Sequence, residues 1–87
     1  MKNPSTKKGF GAEKEILKKV QEILYPKIGE VIASSSIRVN CQRMGINPDE
    51  LTEDKLNIFA DNMKVSLLLF LDESEAEEIS QKIKEIQ

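Results

Sequence analysis

Residues 56–71 read LNIFADNMKVSLLLFL, the most apolar stretch of the 87-residue chain. Wound as an α-helix at 100° per residue, its apolar side chains fall into two stripes. Leu56, Phe59, Ala60, Met63, Leu67, Phe70 and Leu71 share one face, and Ile58, Val65, Leu68 and Leu69 lie roughly opposite. A surface helix of a small domain needs one apolar stripe, so a second must be covered by the rest of the chain or by another molecule. The stretch is therefore read as the central helix of an all-α domain that oligomerises. Ile58, Val65, Leu68 and Leu69 are its candidate interface.

Upstream, Ile16, Leu17, Val20, Ile23 and Leu24 recur at helical spacing, with mostly Glu and Lys between them. Pro26 interrupts, but the apolar phase continues through Ile28, Val31, Ile32, Ser35 and Val39. No Asn, Asp or Ser just before Pro26 offers to cap a new helix. The reading is one helix over about 12–44, kinked near Pro26, with Ile37, Cys41 and Met44 as a minor second face. The alternative is two helices, with Pro26 in the first turn of the second. Gly45 suits a left-handed stop, with Ile46 as its hydrophobic contact. Asn47-Pro48 then opens a turn. Thr52 is placed as the cap of the central helix, followed by Glu53 and Asp54 where the helix dipole favours negative charge.

Downstream, Ser74 and Glu77 have the spacing of a capping box. Ala76, Ile79, Ile83 and Ile86 give the last helix a narrow seam for one partner helix. The predicted fold is a small antiparallel helical bundle of three to four helices, a single domain over residues 12–87. Residues 1–11, rich in Pro, Ser, Thr, Lys and Gly, read as a flexible arm, with Phe10 as a candidate anchor on the domain.

Net charge is −2, but it is unevenly spread. Residues 1–44 carry 9 Lys/Arg against 4 Asp/Glu, and residues 45–87 carry 4 against 11. Halves of opposite sign attract within one chain or head to tail between chains. The basic half also offers Lys14, Lys18 and Lys19 as candidate phosphate contacts, which would bind nucleic acid in a salt-dependent, sequence-blind way. Aromatic side chains for stacking are few there, and the acidic last helix makes a poor recognition helix.

The chain has no histidine and one cysteine. A Ser–His or Cys–His nucleophile pair and the usual zinc sites cannot be assembled from this chain alone. Cys41 reads as a small packing residue, with a thiol nucleophile beside Arg43 as the sharper alternative. Asp49, Glu50, Glu53 and Asp54 lack the glycine and ligand spacing of an EF-hand loop. Nothing in the sequence calls for a cofactor. One cysteine points to a reducing cytoplasm, and no stretch approaches the ~20 apolar residues of a membrane span. The opening MKNPSTKKGFG has lysines but no following apolar run of a secretory signal. The expectation is thus a non-enzymatic helical association module, a homo-oligomer or a partner-binding adaptor. The alternatives are a small nucleic-acid-binding regulator using the basic half and an enzyme subunit using Cys41 or the carboxylates.

Overall fold

A computed structural model describes the backbone of residues 4–86 and the side chains of residues 15–86. Four α-helices follow in order: α1 (Pro4–Ile28), α2 (Glu30–Arg43), α3 (Leu56–Leu67) and α4 (Glu73–Lys84). Two short 3₁₀ turns, Pro48–Glu50 and Glu53–Lys55, connect α2 to α3. Among the described residues there are no strands, and the fold is a small all-α bundle. At 1.5 Å per residue α1 is about 37 Å long. The molecule measures 44 × 23 × 21 Å, so α1 must lie along its long axis. It begins at Pro4, within the stretch that composition assigns to the arm. Residues 1–3 and the side chain of Phe10 lie outside the described residues.

Each helix contributes one stripe to a single core. Val20 and Leu24 come from α1, with Ile16, Leu17 and Ile23 half-buried beside them. Leu56, Phe59, Ala60, Met63 and Leu67 come from α3, and Ala76, Ile79 and Ile83 from α4. Helices α3 and α4 share the most extensive contact. Ser80 Oγ reaches across it to donate to the Ala60 carbonyl at 3.2 Å, which satisfies a hydroxyl with almost no access to water. Lys64 Nζ to Glu77 Oε1 at 2.6 Å and Lys84 Nζ to Asp61 Oδ1 at 2.9 Å tie the same two helices at the surface.

The segment 12–44 is not one kinked helix, and the break is not at Pro26. Pro26 sits in the last turn of α1, and the chain breaks three residues later at Gly29, with φ +86° and ψ 158°. That backbone region is open essentially to glycine alone. Gly29 N still donates to Tyr25 O at 2.9 Å, and Gly29 O accepts from Ala33 N at 2.9 Å, so only one residue leaves the helical path. That residue is enough to reset the faces. In α2 the buried side chains are Ala33, Ile37, Asn40 and Cys41, the face expected to be minor. Val31, Ile32 and Val39, expected in the main stripe, point to solvent.

Gly45 ends α2 as the sequence indicates. Its φ is +77°, Gly45 N donates to Gln42 O at 2.9 Å, and Ile46 N donates to Cys41 O at 3.0 Å, the paired bonds of a Schellman stop. Thr52 occupies the cap position of the second 3₁₀ turn, but its hydroxyl bonds to the Asp54 carboxylate instead of a backbone N–H. Helix α3 stops at Leu67, four residues before the expected Leu71. There the chain tightens, with Leu69 N bonding to Ser66 O and Phe70 N to Leu67 O. The cap of α4 is Asp72, whose Oδ1 accepts from Glu75 N at 2.8 Å, not Ser74. Phe70, placed by periodicity on the core face, is consequently half out in solvent.

Candidate interaction surface

The Gly29 break and the early end of α3 leave apolar side chains exposed on α2 and around α3. Ile58 and Val65 on α3, and Leu69 in the turn that follows it, are spaced i, i+7 and i+11 and are 59%, 62% and 79% exposed. Leu68, 47% exposed, lies to the side of that row. On α2, Val31 is 79% exposed, and Val39 joins it two turns further on. A monomer exposes isolated apolar side chains without consequence. A row of them on two packed helices is a different matter.

Where α2 meets the turn at the end of α3 lies an open groove of about 240 Å³. Ser35, Ser36, Val39 and Arg43 form its α2 wall, and Ser66, Leu69 and Phe70 form the other. Val39, Leu69 and Phe70 make the lining mainly apolar. Arg43 supplies a cation in the last turn of α2, where the helix dipole also favours one. Beside the groove lies Asn40, with no exposed surface. Its Nδ2 donates to Ser36 O at 2.7 Å and to Ser66 Oγ at 3.1 Å, one bond to each wall, and sits 3.8 Å from Met63 Sδ. Asn40 Oδ1 is buried with no protein hydrogen-bond partner.

The four residues expected at an interface, Ile58, Val65, Leu68 and Leu69, are all exposed or about half-exposed among the described residues. Periodicity missed Val31, Val39 and Phe70. The signal that would have found the first two is Gly29, whose freedom at positive φ marks a change of face. Of the candidate phosphate contacts, Lys18 and Lys19 are exposed on α1 and do not line the groove. The side chain of Lys14 lies outside the described residues.

The remaining candidates for chemistry stay apart from one another. Cys41 is fully buried in the core, and burial pushes its thiol up to about 11, which holds it protonated at neutral pH. Glu50 is engaged by Asn47 N at 2.7 Å, and a hydrogen bond from Thr52 holds Asp54 below the usual carboxylate range. Among the described residues no three Cys, Asp or Glu side chains converge as metal ligands, and no helix is long and apolar enough to cross a membrane. Comparison with protein-family models, with curated proteins and with solved structures finds no match, so the surface is read from its own geometry.

Proposed function

We propose that this protein is a non-enzymatic helical association module whose α2–α3 face docks against the same face of a second copy. The observation that carries the reading is the set of exposed apolar side chains Ile58 and Val65 on α3 with Leu69 and Phe70 in the turn after it, the last two meeting Val39 of α2 at an open groove. Covering such side chains is worth about 25 cal/mol per Å² of apolar surface removed from water. A chain of this size buries only about 60–65% of its unfolded surface, so association adds to a thin margin. The opposed charge of the two halves of the sequence favours a partner built like the molecule itself.

Light scattering coupled to size exclusion, run over a hundredfold range of protein concentration, tests the proposal. The expected result is a dimer that dissociates on dilution. Val65→Asp and Leu69→Asp should leave the helical circular dichroism signal and the single-chain fold intact, because both positions face solvent in one copy, and should shift the equilibrium to monomer. A monomer at every concentration overturns the reading, and the face then belongs to a different protein partner.

A further inference from the structure

We propose that the groove between α2 and the turn after α3 binds a short aliphatic carboxylate, with Arg43 receiving its charge and Val39, Leu69 and Phe70 its chain. The site stands on the chemistry of its lining and does not depend on self-association. Among the described residues that line the groove, the only charged one is Arg43. The other polar side chains are the hydroxyls of Ser35, Ser36 and Ser66, with no carboxylate among them. Arg43 is exposed and makes no ion pair with any described residue. Ser66 Oγ accepts from the buried Asn40 Nδ2 at 3.1 Å, so its own proton points elsewhere, and that proton meets no acceptor among the described residues.

A groove whose polar groups are one cation and three hydroxyls selects an anion, and its apolar side chains select a hydrocarbon behind that charge. One guanidinium balances one negative charge, and its planar pair of N–H groups matches the two oxygens of a carboxylate. The dipole of α2 places about half a negative charge at this end of the helix, less than the full positive charge that Arg43 carries. Size narrows the class further. At about 240 Å³ the groove falls below the ~300–1,000 Å³ of sites for drug-sized molecules. It holds about eight groups of the ~30 Å³ that a water occupies, which matches a ligand of about eight non-hydrogen atoms such as hexanoate. The groove is open, so part of the ligand stays in water and the affinity is about millimolar.

Titration of the full chain with hexanoate, followed by NMR of the backbone amides, tests the site, with hexanol and hexylammonium as probes of the same length. The samples are kept at a concentration that light scattering shows to be monomeric, so the oligomeric state is read separately from binding. Hexanoate should shift the amides of Ser36, Ser66 and Phe70 and saturate, with both other probes weaker by about tenfold. Arg43→Gln should weaken hexanoate by about tenfold and leave hexanol unchanged. Arg43→Glu should reverse the preference, so that hexylammonium binds better than hexanoate. Arg43 is exposed, so both variants keep the fold. Absence of shifts at the groove, equal binding of hexanoate and hexanol, or hexanoate binding that ignores Arg43→Gln overturns the site and leaves self-association standing. A chain that binds hexanoate in this pattern yet stays monomeric at every concentration supports the site while overturning self-association.

Discussion

Asn40 on α2 donates from Nδ2 to Ser66 Oγ on α3 across 3.1 Å, and its own Oδ1, equally buried, accepts nothing from the protein. An unpaired buried acceptor costs about 1–3 kcal/mol, which offsets most of what the two donated bonds contribute. Asn40→Leu keeps the branched shape of the side chain with somewhat greater bulk and removes the orphan oxygen along with the two donated bonds. Its stability in urea should match or exceed that of the wild type by up to about 2 kcal/mol. Asn40→Ala, which leaves a void beside Met63, should lose about 1–3 kcal/mol. If the leucine variant is the less stable of the two, the amide contributes more than its geometry suggests.

Gly29→Ala should destabilise the fold by about 1–3 kcal/mol, read from the urea midpoint. Nothing lies within 4 Å of where the added methyl would sit, so the cost is purely that of holding an L-residue at φ +86°. An effect under about 0.5 kcal/mol would mean that the junction between α1 and α2 adjusts freely.

Leu67 and Leu69 are two residues apart, and one is fully buried while the other is 79% exposed. In the monomer, Leu67→Ala should lose about 2–5 kcal/mol. Leu69→Ala should stay within about 0.5 kcal/mol. Comparable losses at both would mean that Leu69, in the turn after α3, is buried as Leu67 is. Measured as dimer dissociation, the ranking should reverse.

Stability should fall at both ends of the pH scale for identifiable reasons. Hydrogen bonds from Lys64 and Gln81 hold Glu77 below its ordinary value, so its contribution is present at neutral pH and is lost as acid titrates it. Glu77→Gln should flatten the acid limb below about pH 4.5. Lys64, raised mainly by the same hydrogen bond, keeps its contribution until the solution is more alkaline than its ordinary value. Cys41 dominates the limb between those extremes. Its thiol stays protonated in the folded chain up to about 11, while the unfolded chain releases the proton from about 9, so stability declines over that interval. Cys41→Ala should remove the decline, and thiol reagents should label Cys41 only on unfolding.

The parts of the fold that local chemistry determines were readable from the residues. Val20 and Leu24 on α1, the seam from Ala76 to Ile86 near the C-terminus, and the Gly45 stop all lie where periodicity or backbone preference puts them. The faces of α2 were not readable, because a helical wheel extended through Gly29 assumes the phase that this residue resets. The end of α3 was ambiguous for a different reason. Asp72 and Ser74 are both good cap residues, and apolarity through Leu71 says nothing about which one starts the next helix. The α3 side of the candidate surface was therefore visible in the sequence as a surplus stripe. Its α2 side became visible only once the backbone at Gly29 was known.

The amide tie between α2 and α3 bears on how firmly these two rods keep their alignment. Leucine, isoleucine and methionine layers tolerate sliding, since one apolar contact substitutes for another. A slip by one turn, about 5.4 Å, would carry Asn40 away from Ser66 and leave its amide facing hydrocarbon. An uneconomical polar residue in the interior thus acts as a detent: it contributes little to the depth of the energy minimum and much to the spacing between that minimum and its neighbours.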